Sequence, residues 1–165
     1  MKRLIYSMVL LLVAIVTISC MACKKDKDGG SPQQGGTFYC KIDGKEYKPK
    51  YVSGVKTDIS STIIVTGSSG NGEETVQFQF RDNISPGTYG QLNDLTASSY
   101  IGAFYSPPHS NEATDDGPAE TGQVVITEHD TAKKRIKGTF RFKTKASINA
   151  GTVWDITDGA FDVTY

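Results

Sequence analysis

From residue 37 onward the apolar side chains of this 165-residue chain recur at every second position, and nowhere do they hold the three-and-four spacing of an amphipathic helix. A period of two sends successive side chains to opposite faces of an extended backbone, so the chain is expected to be all-β, its strands having one buried and one wet face. Val76, Phe78 and Phe80 alternate with Thr75, Gln77, Gln79 and Arg81, and Ile136, Phe140 and Phe142 stand against Lys137, Arg141 and Lys143. Phe38, Cys40 and Ile42 point one way. Asp43-Gly44, the favoured pair for a two-residue hairpin turn, then returns the chain through Lys45-Glu46-Tyr47. The same logic predicts a last hairpin, with residues 152–157 leading into Asp158-Gly159 and Phe161, Val163 and Tyr165 on the return strand. Further strands are expected at residues 62–67, around Thr88-Tyr89, and at 100–105 and 123–129. Residues 68–72, Pro86-Gly87 and the stretch 106–121 carry turn or loop chemistry. About nine or ten antiparallel strands must curl or split into two packed layers to bury their apolar faces. The expectation is an antiparallel β-sandwich, with a closed or partly open β-barrel as the alternative.

The first residues have a different character. Lys2 and Arg3 precede an apolar run over residues 4–18 that ends in small residues before Cys20 and Cys23, and Lys24-Lys25-Asp26-Lys27-Asp28 follows. The run is shorter than the roughly 20 apolar residues that span a bilayer and has the length of a secretion-signal core. It resembles the signal of bacterial lipoproteins, in which a small residue precedes a cysteine that is acylated and becomes the mature N-terminus. Cys23 is favoured, because Ala22 is small and the charged tether begins directly after it; Cys20 is the alternative. Neither has leucine three positions upstream, where such signals prefer it: Thr17 stands there for Cys20, and Cys20 for Cys23. Several acyl chains, palmitate among them, would hold the protein stably on a membrane, at about 0.8 kcal/mol per buried methylene. The expected organisation is therefore a signal peptide over residues 1–22, a lipidated flexible tether over 23–36, and one β-domain over 37–165. The expected location is the bacterial cell envelope, at the outer membrane, with the face left open.

Removing residues 1–22 takes Lys2 and Arg3 but no acid from the 18 basic and 18 acidic residues, leaving 16 against 18. The remaining cations are scattered, so nucleic-acid binding has no electrostatic support. Cys40 is the one cysteine of the domain, and its alternation with Phe38 and Ile42 reads as a small buried apolar residue.

A resemblance to a family rests on several segments. These are the Ile42-Asp43-Gly44-Lys45 opening, Pro86-Gly87-Thr88-Tyr89, Gly122-Gln123-Val124-Val125-Ile126-Thr127 with Asp130, residues 136–142, and Ile156-Thr157-Asp158-Gly159-Ala160-Phe161. Together they are similar to an uncharacterised family of small bacterial all-β lipoproteins, catalogued as a domain of unknown function, over most of residues 37–165. The resemblance implies an envelope β-sandwich lipoprotein. It carries over no catalytic or binding residue.

Candidate chemistry is sparse. His109 lies between prolines and Ser110, but a nucleophile and its base are normally assembled across a fold rather than side by side in sequence. His129, before Asp130, reads as an exposed turn histidine. The chain has no His-Glu-x-x-His run, no pair of Cys-x-x-Cys knuckles and no phosphate-cradling glycine loop. The adjacent pairs Glu73-Glu74 and Asp115-Asp116 would point to opposite faces of a strand and make poor acid–base partners. Glu112, Asp115 and Asp116, with Glu120, offer oxygen ligands and are weak calcium candidates, since the EF-hand spacing is missing. No metal and no cofactor is called for. Trp154 and Tyr39 alternate with core residues and form the candidate ligand platform, for a sugar or a protein partner. The expected function is a noncatalytic binding or interaction module, anchored to the membrane and engaging an envelope glycan or protein. A structural envelope component without a small ligand is the alternative, and a glycan-binding or hydrolytic accessory domain is a third reading.

Overall fold

The computed structural model describes residues 36–70, 74–97, 99–108, 117–146 and 151–165. Both candidate lipid cysteines, the signal and nearly all of the tether, His109, Glu73, and the acidic residues Glu112, Asp115 and Asp116 lie outside the described residues. Within them every regular element is a strand: β1 (Gly36–Ile42), β2 (Lys45–Tyr47), β3 (Tyr51–Thr57), β4 (Thr62–Ser68), β5 (Thr75–Arg81), β6 (Gly87–Tyr89), β7 (Ile101–Ser106), β8 (Gly117–Asp130), β9 (Arg135–Thr144) and β10 (Asp155–Thr164). All ladders are antiparallel, in the order β2-β1-β10-β9-β8-β7-β5-β4-β3, with β6 alongside β8.

This is one strongly curled open sheet, a half-barrel whose two halves face each other as sandwich layers do. The expected all-β architecture is borne out. The long β8 makes the corner: Gly117 and Pro118 pair with Tyr105 and Phe104 of β7, while Ala119 to Asp130 run along β9. The far edge curls round until β3 approaches β10, and Gly54 permits this because a Cβ there would collide with the Thr164 carbonyl and the Val163 side chain.

The apolar face fills the space between the halves. Phe78 is fully buried at its centre, with ring centroids 4.6 Å from Phe140, 5.9 Å from Phe142 and Phe161, and 6.4 Å from Phe38. Burial of one such ring contributes about 1.5–3 kcal/mol. Ile63, Val65, Ile101, Ile136 and Ile156 complete the packing. Cys40 is buried with a free thiol, as its alternation suggested.

The two Asp-Gly pairs behave differently. At Asp43-Gly44 both residues take the left-handed conformation, with φ of 49° and 78°, and the chain reverses as expected. At Asp158-Gly159 only Asp158 does so, with φ of 50°, and the chain continues. The expected last hairpin is thus replaced by a single strand, β10, carrying one more residue than β9 between Ile156 and Gly159 and one more than β1 between Thr157 and Ala160. A β-bulge absorbs the left-handed residue without turning the strand. Gly159 is required there because the Phe140 ring lies against its backbone where a Cβ would stand.

Three further expectations need correction. Residues 117–121 are strand rather than loop, since they close the corner between β7 and β9. Strand β3 was not anticipated. His129 is no exposed turn residue: it is half-buried within β8, opposite Ile136 of β9. Its Nδ1 lies 2.7 Å from the Ile84 carbonyl, which only accepts, so Nδ1 donates, while Nε2 is hydrogen-bonded to the Tyr165 hydroxyl at 2.8 Å. Both ring nitrogens are committed to holding the C-terminus and the Ile84 segment against β8.

Candidate functional site

The half-barrel has two distinct ends. β1 begins at Gly36 opposite Val163 and finishes at Ile42 opposite Ile156, so its seven residues carry the chain about 20 Å along the sheet. At the Gly36 end lie His129, Tyr165 and Ile84, and the β3–β4 turn with Ile59 wholly exposed. At the other end lie the Asp43-Gly44 turn, the start of β5, the end of β7 and the start of β10.

That second end holds a depression of about 320 Å³ walled by Trp154, Tyr105 and Tyr47. The mouth of a curled sheet is a usual place for a ligand site. Trp154 sits just before β10, fixed by reciprocal hydrogen bonds: its N–H donates to Thr144 Oγ1 at 3.0 Å, and its carbonyl accepts the Thr144 N–H at 3.1 Å. Its ring meets Tyr105 edge-on, centroids 5.3 Å apart. Tyr47, on the short edge strand β2, donates to the carbonyls of Gly67 at 2.9 Å and Glu74 at 2.8 Å, tying β2 across the opening to the opposite half.

Carboxylates line the same depression. Asp43, Glu46 and Glu74 outnumber its one cation, Lys45. Glu46 is neutralised by Lys48 at 3.0 Å, and Asp43 Oδ1 accepts the Asp155 N–H at 2.9 Å. Glu74 Oε1 accepts the Tyr105 hydroxyl at 2.8 Å and pairs with no cation among the described residues. Burial pushes the Tyr105 hydroxyl up, and the bond to Glu74 and its charge add to the rise, so the hydroxyl keeps its proton and donates. Burial first, and Glu74 second, push the nearby Cys40 thiol up to about 12. Such a thiol is inert rather than nucleophilic.

Tyr39 lies elsewhere, half exposed on the outer face of β1. There Val125, Thr139, Ala160 and Tyr39 stand side by side across β8, β9, β10 and β1, and the small residues leave a trough of about 340 Å³ beside the tyrosine. Gln123 and Arg141 border it and continue into a neighbouring depression of about 500 Å³ reaching Lys143 and Asp155. Trp154 and Tyr39 therefore do not form one platform. Glu74, Tyr105 and Tyr47 are the partners of Trp154, and none was singled out for it from the sequence, because β5, β7 and β2 converge there only through the curl. Among the described residues no cluster of three or more histidine, cysteine or carboxylate side chains is arranged to hold a metal.

Fold and site define an all-β domain, a curled antiparallel sheet with an aromatic, acidic pocket at one mouth. The chain belongs to the family described as Domain of unknown function (DUF6252), which matches residues 34–163. No curated protein and no solved structure matches it. No helix among the described residues is long and apolar enough to cross a membrane.

Proposed function

We propose that the protein is a noncatalytic binding module of the bacterial cell envelope, lipidated on Cys23, with Cys20 the alternative, and receiving its ligand in the Trp154 pocket. The observation that carries this reading is the pocket at one mouth of the sheet, lined by Trp154 and by the carboxylates of Asp43, Glu46 and Glu74. Held on the outer membrane by its acyl chains, the domain receives an envelope glycan or protein in that pocket. The noncatalytic character is supported by what its titratable groups already do: His129 is bonded at both nitrogens, and Cys40 is buried with its thiol raised.

Two measurements test the proposal. Mass spectrometry of protein extracted from membranes is expected to find acylated Cys23 at the mature N-terminus, and a Cys23→Ser chain is expected to be released or left unprocessed. An unmodified terminus would remove the anchor from the proposal. A Trp154→Ala chain that melts as the parent does but no longer retains envelope material supports the pocket. Unchanged retention would leave a structural component with no ligand in the Trp154 pocket.

A further inference from the structure

The Trp154 pocket has a chemical bias that narrows what it accepts. A sugar is held by matched donors and acceptors around its hydroxyls, whereas the hydroxyl donors here are spent within the protein. The Tyr105 O–H is given to Glu74, and the Tyr47 O–H to the carbonyls of Gly67 and Glu74. What faces the opening is chiefly acceptor: the Glu74 carboxylate, which no cation among the described residues pairs, with Asp43 and Glu46 in the same lining against the single cation Lys45. The half-buried ring of Trp154 stands at this opening, packed edge to face at 5.3 Å on the buried ring of Tyr105. Aromatic faces attract a cation through the ring quadrupole, and tryptophan does so best. A carboxylate beside the rings completes the pairing, because a half-buried charge gains most from a ligand that brings both opposite charge and hydrogen-bond donors.

We propose that the pocket is a site for a primary ammonium or guanidinium group, held by Glu74 and covered by Trp154. The inference rests on the pocket being the ligand site, and deepens that reading by naming the ligand's chemistry. Such a group reaches the site either as a free small cation or as a lysine or arginine side chain of another protein.

Trp154 is the sole tryptophan, so its fluorescence reports occupancy directly. The full chain, extracted in detergent, is titrated with propylammonium and ethylguanidinium, with blocked Gly-Lys-Gly and Gly-Arg-Gly peptides, and with neutral propionamide and methyl glucoside. The cationic probes are expected to shift Trp154 emission and to bind about tenfold or more tighter than propionamide, the margin of one charge-assisted hydrogen bond. Glu74→Gln, which keeps an acceptor for Tyr105, is expected to abolish that margin, and added salt is expected to weaken cation binding by the parent chain itself. Tighter binding of the peptides than of the small cations assigns the source to a protein side chain; equal binding assigns a free cation. Equal response to cationic and neutral probes, or a margin that survives Glu74→Gln, overturns the cation inference while leaving the pocket as a binding site. Silence of Trp154 toward every probe overturns both.

Discussion

Asn93 stitches the corner of the half-barrel, and its removal has a calculable cost. Among the described residues β7 and β8 are paired only at Phe104–Pro118 and Tyr105–Gly117, and then part as β8 turns toward β9. Asn93 fills the gap. Its Nδ2 donates to the carbonyls of Ala103 at 3.1 Å and Ala119 at 2.9 Å, and its Oδ1 accepts the Ala103 N–H at 3.1 Å. The side chain thus stands in for a missing strand residue. Three such bonds, at a net ~1 kcal/mol each, place the cost of Asn93→Gly at about 3 kcal/mol. Asn93 also has φ of 59°, a left-handed conformation that asparagine tolerates better than alanine. Asn93→Ala is therefore expected to cost about 1 kcal/mol more than Asn93→Gly. Set against a typical stability of ~5–15 kcal/mol, either loss is a large fraction. Urea unfolding followed by Trp154 fluorescence measures both, and hydrogen exchange at the Ala103 amide, expected to quicken, locates the effect. If both variants unfold within about 0.5 kcal/mol of the parent, the side chain is not carrying the corner and the reasoning fails.

Gly159→Ala would drive a methyl group into the buried Phe140 ring, so a loss of about 1–3 kcal/mol is expected on urea unfolding, and an unchanged midpoint would refute the close approach. Cys40, with its thiol pushed up to about 12 by burial, is expected to resist a thiol reagent at pH 8 in the native state and to react on unfolding; rapid native labelling would contradict its placement. Asp162 is held below its usual value of 3.8, chiefly by the Arg135 guanidinium, which bonds both carboxylate oxygens at 2.7 and 2.6 Å, with Lys137 assisting. The native state therefore binds fewer protons there than the unfolded chain, and the stabilisation is complete above the ordinary carboxylate range and lost as pH falls below it. The melting-temperature gap between the parent and Asp162→Asn is expected to be constant from pH 6 to 8 and to shrink below about pH 4; a gap independent of pH would refute the pairing.

Much of the fold is written in the two-residue period. The strands around Phe78, Phe140 and Phe38 are legible because each alternates large apolar with polar groups, and the core assembles from the inward set. β3 is not legible: at the edge of the sheet five of its seven residues are half-buried, on both faces, its apolar Val55 is exposed, and Gly54 breaks the pattern for the sake of the Thr164 carbonyl. Residues 117–121 hide for a related reason. Glycine and proline there read as loop, yet Gly117 fits against Thr144 at the corner where a side chain would clash. The second Asp-Gly pair misleads because the dipeptide specifies a left-handed residue, and whether that makes a turn or a bulge is decided by strands on either side. At the candidate site, Trp154 and Tyr39 stand out as aromatics off the core pattern. Their separation onto a mouth and an outer face, and the convergence of Glu74 and Tyr105 on Trp154, follow from the curl alone.

The central claim, that ligands enter at the Trp154 mouth, is tested most directly by the indole N–H resonance of that single tryptophan while envelope glycan and peptide fragments are added to isotope-labelled protein. Binding is predicted to move the Trp154 indole together with the amides of Glu74 and Tyr105, leaving Tyr39 and Arg141 unmoved. Shifts confined to Tyr39, Arg141 and Gln123 would contradict the claim and transfer the site to the outer trough.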